Sequence, residues 1–196
     1  MGQGIAQIAA QSGSTVWLFD AAPGAAQRAQ IALFDQWDKL AAKGKLTPQA
    51  VTDLKGQIRL ATDLSELKDC DLVIEAIVER LEVKKSVFSQ LEACVSPSAV
   101  LASNTSSLSI TAIGADLKHP ERLAGYHFFN PVPLMKVVEV IAGLKTDPSV
   151  CERLRAYAKD MGHTAVSAKD TPGFIVNHAG RAYGTEALRI VGESVT

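Results

Sequence analysis

In the stretch GYHFFNPVPLMKVVEVI, residues 125–141, His127 stands in one apolar run and Glu139 in the next. An imidazole held by a carboxylate has a fixed tautomer and a favoured protonated form, as a general base near neutral pH requires. Period-two alternation along Lys136-Val137-Val138-Glu139-Val140-Ile141 sets Glu139 on the same strand face as Val137 and Ile141, and that face is expected to be buried. A buried carboxylate is costly unless paired, and His127 ends the preceding strand within reach. The two residues fit a structural ion pair, or a solvent-facing Glu on an edge strand, equally well.

A second candidate chemistry lies at the start. In MGQGIAQIAA, Gly2 and Gly4 open a helix that leads into a strand closed by Asp20. This is the second half of a dinucleotide fingerprint, whose glycines let the backbone approach a pyrophosphate at a positive helix end. Gly2 would be the last of those glycines. Asp20 would take the ribose hydroxyls, about 20 residues past the start of the motif. Its charge would repel the extra phosphate of NADP, and Ala21-Ala22-Pro23-Gly24 supplies no arginine, so the pattern points to NAD. The same residues also fit ordinary helix and strand packing.

The elements that must position these groups alternate along the chain. Apolar spacing predicts helices to Gly13, over about 22–43 and over 48–55, with a strand at 15–19. Strands follow at 72–76, 99–102, 123–128, 136–141 and 164–167. Helices are expected at 81–94, 109–115 and 147–161, and a last one after Pro172-Gly173 running to the end. Repeated units of this kind imply an α/β fold, a Rossmann-like and mostly parallel sheet with helices on both faces.

Composition narrows the partners. With 47% hydrophobic residues and a net charge of −1, the chain can bury a core and offers no broad basic face for nucleic acid or an anionic membrane. No apolar stretch approaches the roughly 20 residues of a membrane span. Cys70, Cys94 and Cys151 follow no metal-ligand spacing and read as small core residues in a reducing compartment, so a cytoplasmic protein is expected.

Five stretches, MGQGIAQIAA, LVIEAIVERLEVKK, SNTSSLSI, GYHFFNPVPLMKVVEVI and DTPGFIVNH, in this order, resemble the 3-hydroxyacyl-CoA dehydrogenase family over essentially the whole chain. The ending GRAYGTEALRIVGESV further resembles bacterial members that act on 3-hydroxyadipyl-CoA. The resemblance implies NAD-dependent oxidation of an (S)-3-hydroxyacyl-CoA to the 3-oxoacyl-CoA. It makes His127 the base and Glu139 the acid that holds it, with Ser106 and Asn177 on the substrate oxygen. It assigns Gly2, Asp20, Glu79, Lys84, Asn104 and Asn130 to the cofactor and Lys43 to the coenzyme A phosphates.

On the same resemblance, residues 1–171 form the NAD-binding domain without its first strand. Residues 172–196 open a helical domain used for homodimerisation and for closing over substrate. The chain is therefore expected to be a piece of a longer protein and poorly active alone. The alternative is a non-catalytic relative, crystallin-like or merely dinucleotide-binding.

Overall fold

The computed structural model describes residues 1–193, and the end of the expected last helix at 194–196 lies outside them. Helix α1 (Gly2–Gln11) closes at Gly13, whose φ of +92° only glycine adopts freely. A short strand β1 (Val16–Leu18) leads to α2 (Ala25–Ala42), which buries Leu33 and Trp37 one turn apart. Helix α3 (Pro48–Gln57) starts with Thr47 accepting from the Ala50 amide and with proline at its first position. The next three residues form β2 (Ile58–Leu60), which lies parallel to β1 and is not among the strands expected from the sequence.

The main sheet has the order β3 (Leu72–Glu75), β4 (Val100–Ser103), β5 (Leu123–Phe128), β6 (Val137–Ala142), β7 (Thr164–Lys169). All neighbours are parallel except β5 and β6. Helix α4 (Leu81–Cys94) and the single turn α5 (Ile110–Ile113) cover one face. Helix α6 (Pro148–Asp160) and part of α1 cover the other. Helix α7 (Val176–Gly192) leaves the sheet and buries none of its own residues.

Period-two alternation sorts the core. Val100, Ala102, Ala124, Tyr126, Phe128, Val138 and Val140 point to the α1/α6 side, while Leu101, Leu123 and Ile141 pack with Phe88, Leu91, Ile110 and Ile113 on the α4/α5 side. A third cluster joins Ala6 and Ala10 of α1 to Leu33, Trp37, Val51 and Ile58 around the small sheet. Helix α1 thus belongs to two cores at once. The mostly parallel sheet with helices on both faces is as expected. The face of Glu139, however, is less uniformly covered than expected, because Val137 at the strand start is 37% exposed. Burial starts at Val138 and then takes in both faces, as in the middle of any covered sheet.

The β5–β6 reversal has one consequence for chemistry. It brings the first half of β6 to the edge where β3, β4 and β5 end, so groups from four strands meet there. Gly125, opposite Ile141, leaves room for the Ile110 side chain over this pair. A Cβ at position 125 would stand 2.9 Å from Ile110 Cδ1 and from Ile141 Cβ. Gly125→Ala is therefore expected to cost about 1–3 kcal/mol through overpacking. Urea unfolding should give a lower midpoint at unchanged m, whereas an unaltered midpoint would mean that the strands spread at this point without penalty.

Candidate active site

His127 and Glu139 are direct cross-strand partners in the antiparallel β5–β6 ladder. His127 Nδ1 lies 2.7 Å from Glu139 Oε2, with the imidazole 5% and the carboxylate 0% exposed. An ionised carboxylate only accepts, so Nδ1 carries the proton and the lone pair is on Nε2. The second oxygen, Oε1, accepts from the Ile175 amide at 2.8 Å and the Val176 amide at 3.0 Å. These are the opening N–H groups of α7, so the carboxylate also serves as the anion at that helix's positive end.

The chain enters α7 through two left-handed residues, Gly173 at φ +78° and Phe174 at φ +52°. For a bulky residue that conformation stores about 1–3 kcal/mol and persists only when packing enforces it. Here the Phe174 ring is buried in the α4/α5 core and lies edge-on to His127, with centroids 5.7 Å apart. Phe129 stands against another side of the imidazole at 4.6 Å.

A second set of groups hangs from the ends of β3 and β4. Ser106 is exposed. Its amide donates to Glu79 Oε1 at 2.8 Å, and its carbonyl accepts from Asn177 Nδ2 at 3.1 Å. Glu79 Oε1 also accepts from the Thr105 hydroxyl at 2.6 Å and the Ser107 amide at 3.3 Å. Burial pushes the Glu79 carboxyl up. The Thr105 hydroxyl, the Ser106 amide and the nearby Lys84 ammonium more than offset this and hold it below its ordinary range. Asn104 is buried, and its Oδ1 accepts from the Phe128 amide at 2.9 Å, tying the end of β4 to the residue after His127.

The remaining candidates lie around the same edge. Among the described residues no side chain hydrogen-bonds the start of α1 at Gly2, where a helix's positive end lies. Gly4 faces Val132, where a Cβ would approach to 3.0 Å. Asp20, exposed beyond β1, uses Oδ1 to accept from the Ala22 amide at 2.8 Å and keeps Oδ2 free of partners among the described residues. A helix start at glycine and a carboxylate beyond the next strand with one oxygen unpartnered among the described residues are groups that could hold a dinucleotide's pyrophosphate and ribose. Asn130 is exposed in the β5–β6 loop, and with Met1, Gln3, Gln7 and Pro131 it lines a cavity of about 430 Å³. Lys43 is exposed at the end of α2, and among the described residues no hydrogen bond or ion pair joins it to the His127 pair.

The profile of the family described as "3-hydroxyacyl-CoA dehydrogenase, NAD binding domain" matches residues 1–171. The chain belongs to this family. It is 45% identical over 195 residues to the 3-hydroxyadipyl-CoA dehydrogenase of Escherichia coli K12, covering 100% of this chain and 41% of that protein. It is 43% identical to a probable 3-hydroxybutyryl-CoA dehydrogenase of Bacillus subtilis, covering 100% and 68%. Among solved structures, the (S)-3-hydroxybutyryl-CoA dehydrogenase PaaH1 of Ralstonia eutropha superposes with a TM-score of 0.95 at 36% identity, covering 100% and 69%. The chain thus spans less than half of the first of these relatives.

In this NAD-binding domain, Lys84, Glu75 and His163 are buried with polar partners. Lys84, which the resemblance assigns to the cofactor, has a side chain 1% exposed, and its ammonium lies 2.7 Å from Glu75 Oε1. Glu75 reads in the sequence as one letter of an apolar strand. An acid in such a run is itself the signal that a buried cation exists. His163 is buried with its two ring nitrogens 3.1 Å and 3.0 Å from the carbonyls of Met161 and Val132.

The Glu79 contacts have a pH signature. A carboxyl whose folded pKa is depressed stabilises the fold above its ordinary value of 4.5 and loses that contribution as pH falls through the lower folded value. Glu79→Gln should therefore lower Tm against the parent near neutral pH, and the difference should shrink as pH is taken below 4.5. A Tm difference that stays constant with pH would mean that the Glu79 charge contributes nothing to loop order.

Proposed function

We propose that the protein oxidises the 3-hydroxyl of an (S)-3-hydroxyacyl-CoA to the 3-oxoacyl-CoA with NAD. The observation that carries this reading is the fully buried Glu139 carboxylate. It meets His127 on one oxygen and the start of α7 on the other. His127 Nε2 takes the hydroxyl proton. As the ring becomes imidazolium, Nδ1–H strengthens its bond to Glu139, and the carboxylate stabilises the new charge without moving. The Ser106 hydroxyl and the Asn177 side chain orient the substrate oxygen toward Nε2. Phe129 and Phe174 keep water from the ring, and Asn130 borders the nicotinamide. Gly2 and the first amides of α1 would hold the NAD pyrophosphate and Asp20 the ribose, and bound NAD supplies the hydride acceptor. Lys43 would meet the coenzyme A phosphates.

Exposed Tyr183, Leu188 and Val191 support reading α7 as the start of a helical unit that closes over substrate and pairs two copies. Because the E. coli relative is named for 3-hydroxyadipyl-CoA, that compound is one substrate of this class to assay.

Asp20 is expected to make kcat/KM for NAD exceed that for NADP, and Asp20→Ala to narrow the difference. A parent that prefers NADP would remove Asp20 from the ribose site.

For the pair, His127→Gln should lower kcat by roughly 10² to 10⁴ with little change in NAD affinity. Glu139→Gln keeps an acceptor for the α7 amides but turns an N–H toward Nδ1. That contact moves the ring proton to Nε2 and removes the base, so a loss of similar size is expected. The double variant should be no slower than His127→Gln alone. Losses that multiply would show that the two residues act independently and would overturn the reading.

A further inference from the structure

Ser106 is exposed, yet the residue before it is fully buried, Thr105 having 0% exposure. A hydroxyl placed there needs partners, and it finds them in both directions. It donates to Glu79 Oε1 at 2.6 Å, a short bond of the kind a hydroxyl makes to a carboxylate. Its oxygen accepts from the Leu108 amide at 2.9 Å and, more weakly, from the Ser107 amide at 3.4 Å. The backbone therefore turns over the Thr105 side chain, and Ser106 is the first residue inside that turn. The Thr105 amide in turn donates to Ser103 Oγ at 3.3 Å, which ties the turn to the end of β4.

We propose that Thr105 is a positioning residue for Ser106, its buried hydroxyl closing the turn beyond Ser106 and holding the carboxylate that takes the Ser106 amide. A β-branched side chain is stiff about χ1, and burial on all sides fixes the direction of this hydroxyl. Glu79 has no such support of its own, because it is longer and its side chain is 39% exposed. The Thr105 hydroxyl gives Oε1 a fixed place, and the Ser106 amide meets it there at 2.8 Å. The Ser106 carbonyl accepts from Asn177 on α7. The direction of the Ser106 hydroxyl is thus set by a backbone held before it, at it and after it. This inference rests on the reading of Ser106 as a substrate-orienting group.

The test compares Thr105→Val with Thr105→Ser in the intact protein. Valine keeps the branched shape and removes the hydroxyl, whereas serine keeps the hydroxyl and removes the methyl group. In Thr105→Val, amide hydrogen exchange at Ser106, Ser107 and Leu108 should rise about tenfold or more while β5 and β6 stay as protected as in the parent. With (S)-3-hydroxybutyryl-CoA as the probe, kcat/KM should fall roughly tenfold or more. Thr105→Ser should keep both quantities within about threefold of the parent. In a Ser106→Ala background, Thr105→Val should cost less than about twofold, because its effect passes through the Ser106 hydroxyl.

Parent-like exchange at 106–108 in Thr105→Val, an unchanged kcat/KM, or an exchange rise spread evenly over β4, β5 and β6 overturns the proposal. So does a Thr105→Ser variant as impaired as Thr105→Val, which would make packing of the methyl group the role of this position. A Thr105→Val loss as large without the Ser106 hydroxyl as with it also overturns it, since the effect would then pass through Glu79 to the cofactor. If the parent itself turns over no 3-hydroxyacyl-CoA, the proposed function fails. The exchange comparison still decides whether the Thr105 hydroxyl orders the turn.

Discussion

A carboxylate with no solvent contact, holding donors from two distant parts of the chain, is the constraint from which the site follows. Glu139 receives a side-chain N–H from β5 and two backbone N–H groups from α7. A register slip of one residue between β5 and β6 would turn Glu139 to the opposite face, against Val138's neighbours, with no donor to meet it. A different path into α7 would strip two of its three hydrogen bonds and leave charge buried. Strand register, imidazole tautomer and the direction of α7 are thus specified by one group. The left-handed backbone at Gly173 and Phe174 is the conformational cost of that path, offset by burying the Phe174 ring beside the histidine.

The rest of the site is built by the same device, a buried or half-buried acid collecting amides from a neighbouring loop. Glu79 collects those of 106 and 107. Asp170 does so at the start of α5, accepting from the Ser109 hydroxyl and from the amides of Ile110 and Thr111. Each acid fixes backbone amides together with one side chain, and the working groups, the Ser106 hydroxyl and His127 Nε2, are left free to meet a ligand.

Much of this is legible in the letters, for stated reasons. Period-two alternation sets Glu139 of β6 on a face expected to be covered, and an acid there demands a partner, for which His127 is within reach. Helix α4 reads with its observed ends, Leu81 and Cys94, because its apolar spacing is regular. Strand β2 does not, since Ile58-Arg59-Leu60 follows α3 directly and is too short to show a period. The bonds from Glu139 to α7 are illegible for a different reason. Their donors are backbone amides, which leave no trace in residue type, and they lie 36 and 37 residues away in sequence. Glu75 and Lys84 are both visible, but a lysine near a helix start is ordinarily solvated, and only the fold buries it against β3 and β4.

Helix α1 also determines how the molecule comes apart. Among the described residues, strands β1 and β2 pair with each other and not with the five-stranded sheet. Yet Ile5 and Ile8 sit in the main core while Ala6 and Ala10 sit in the small one. Moving α1 away from the main sheet would take Ile5 and Ile8 out of that core and open a void there. Such a void is a heavy penalty in a close-packed interior. Opposite sides of this single ten-residue helix thus tie the packing of the two clusters together.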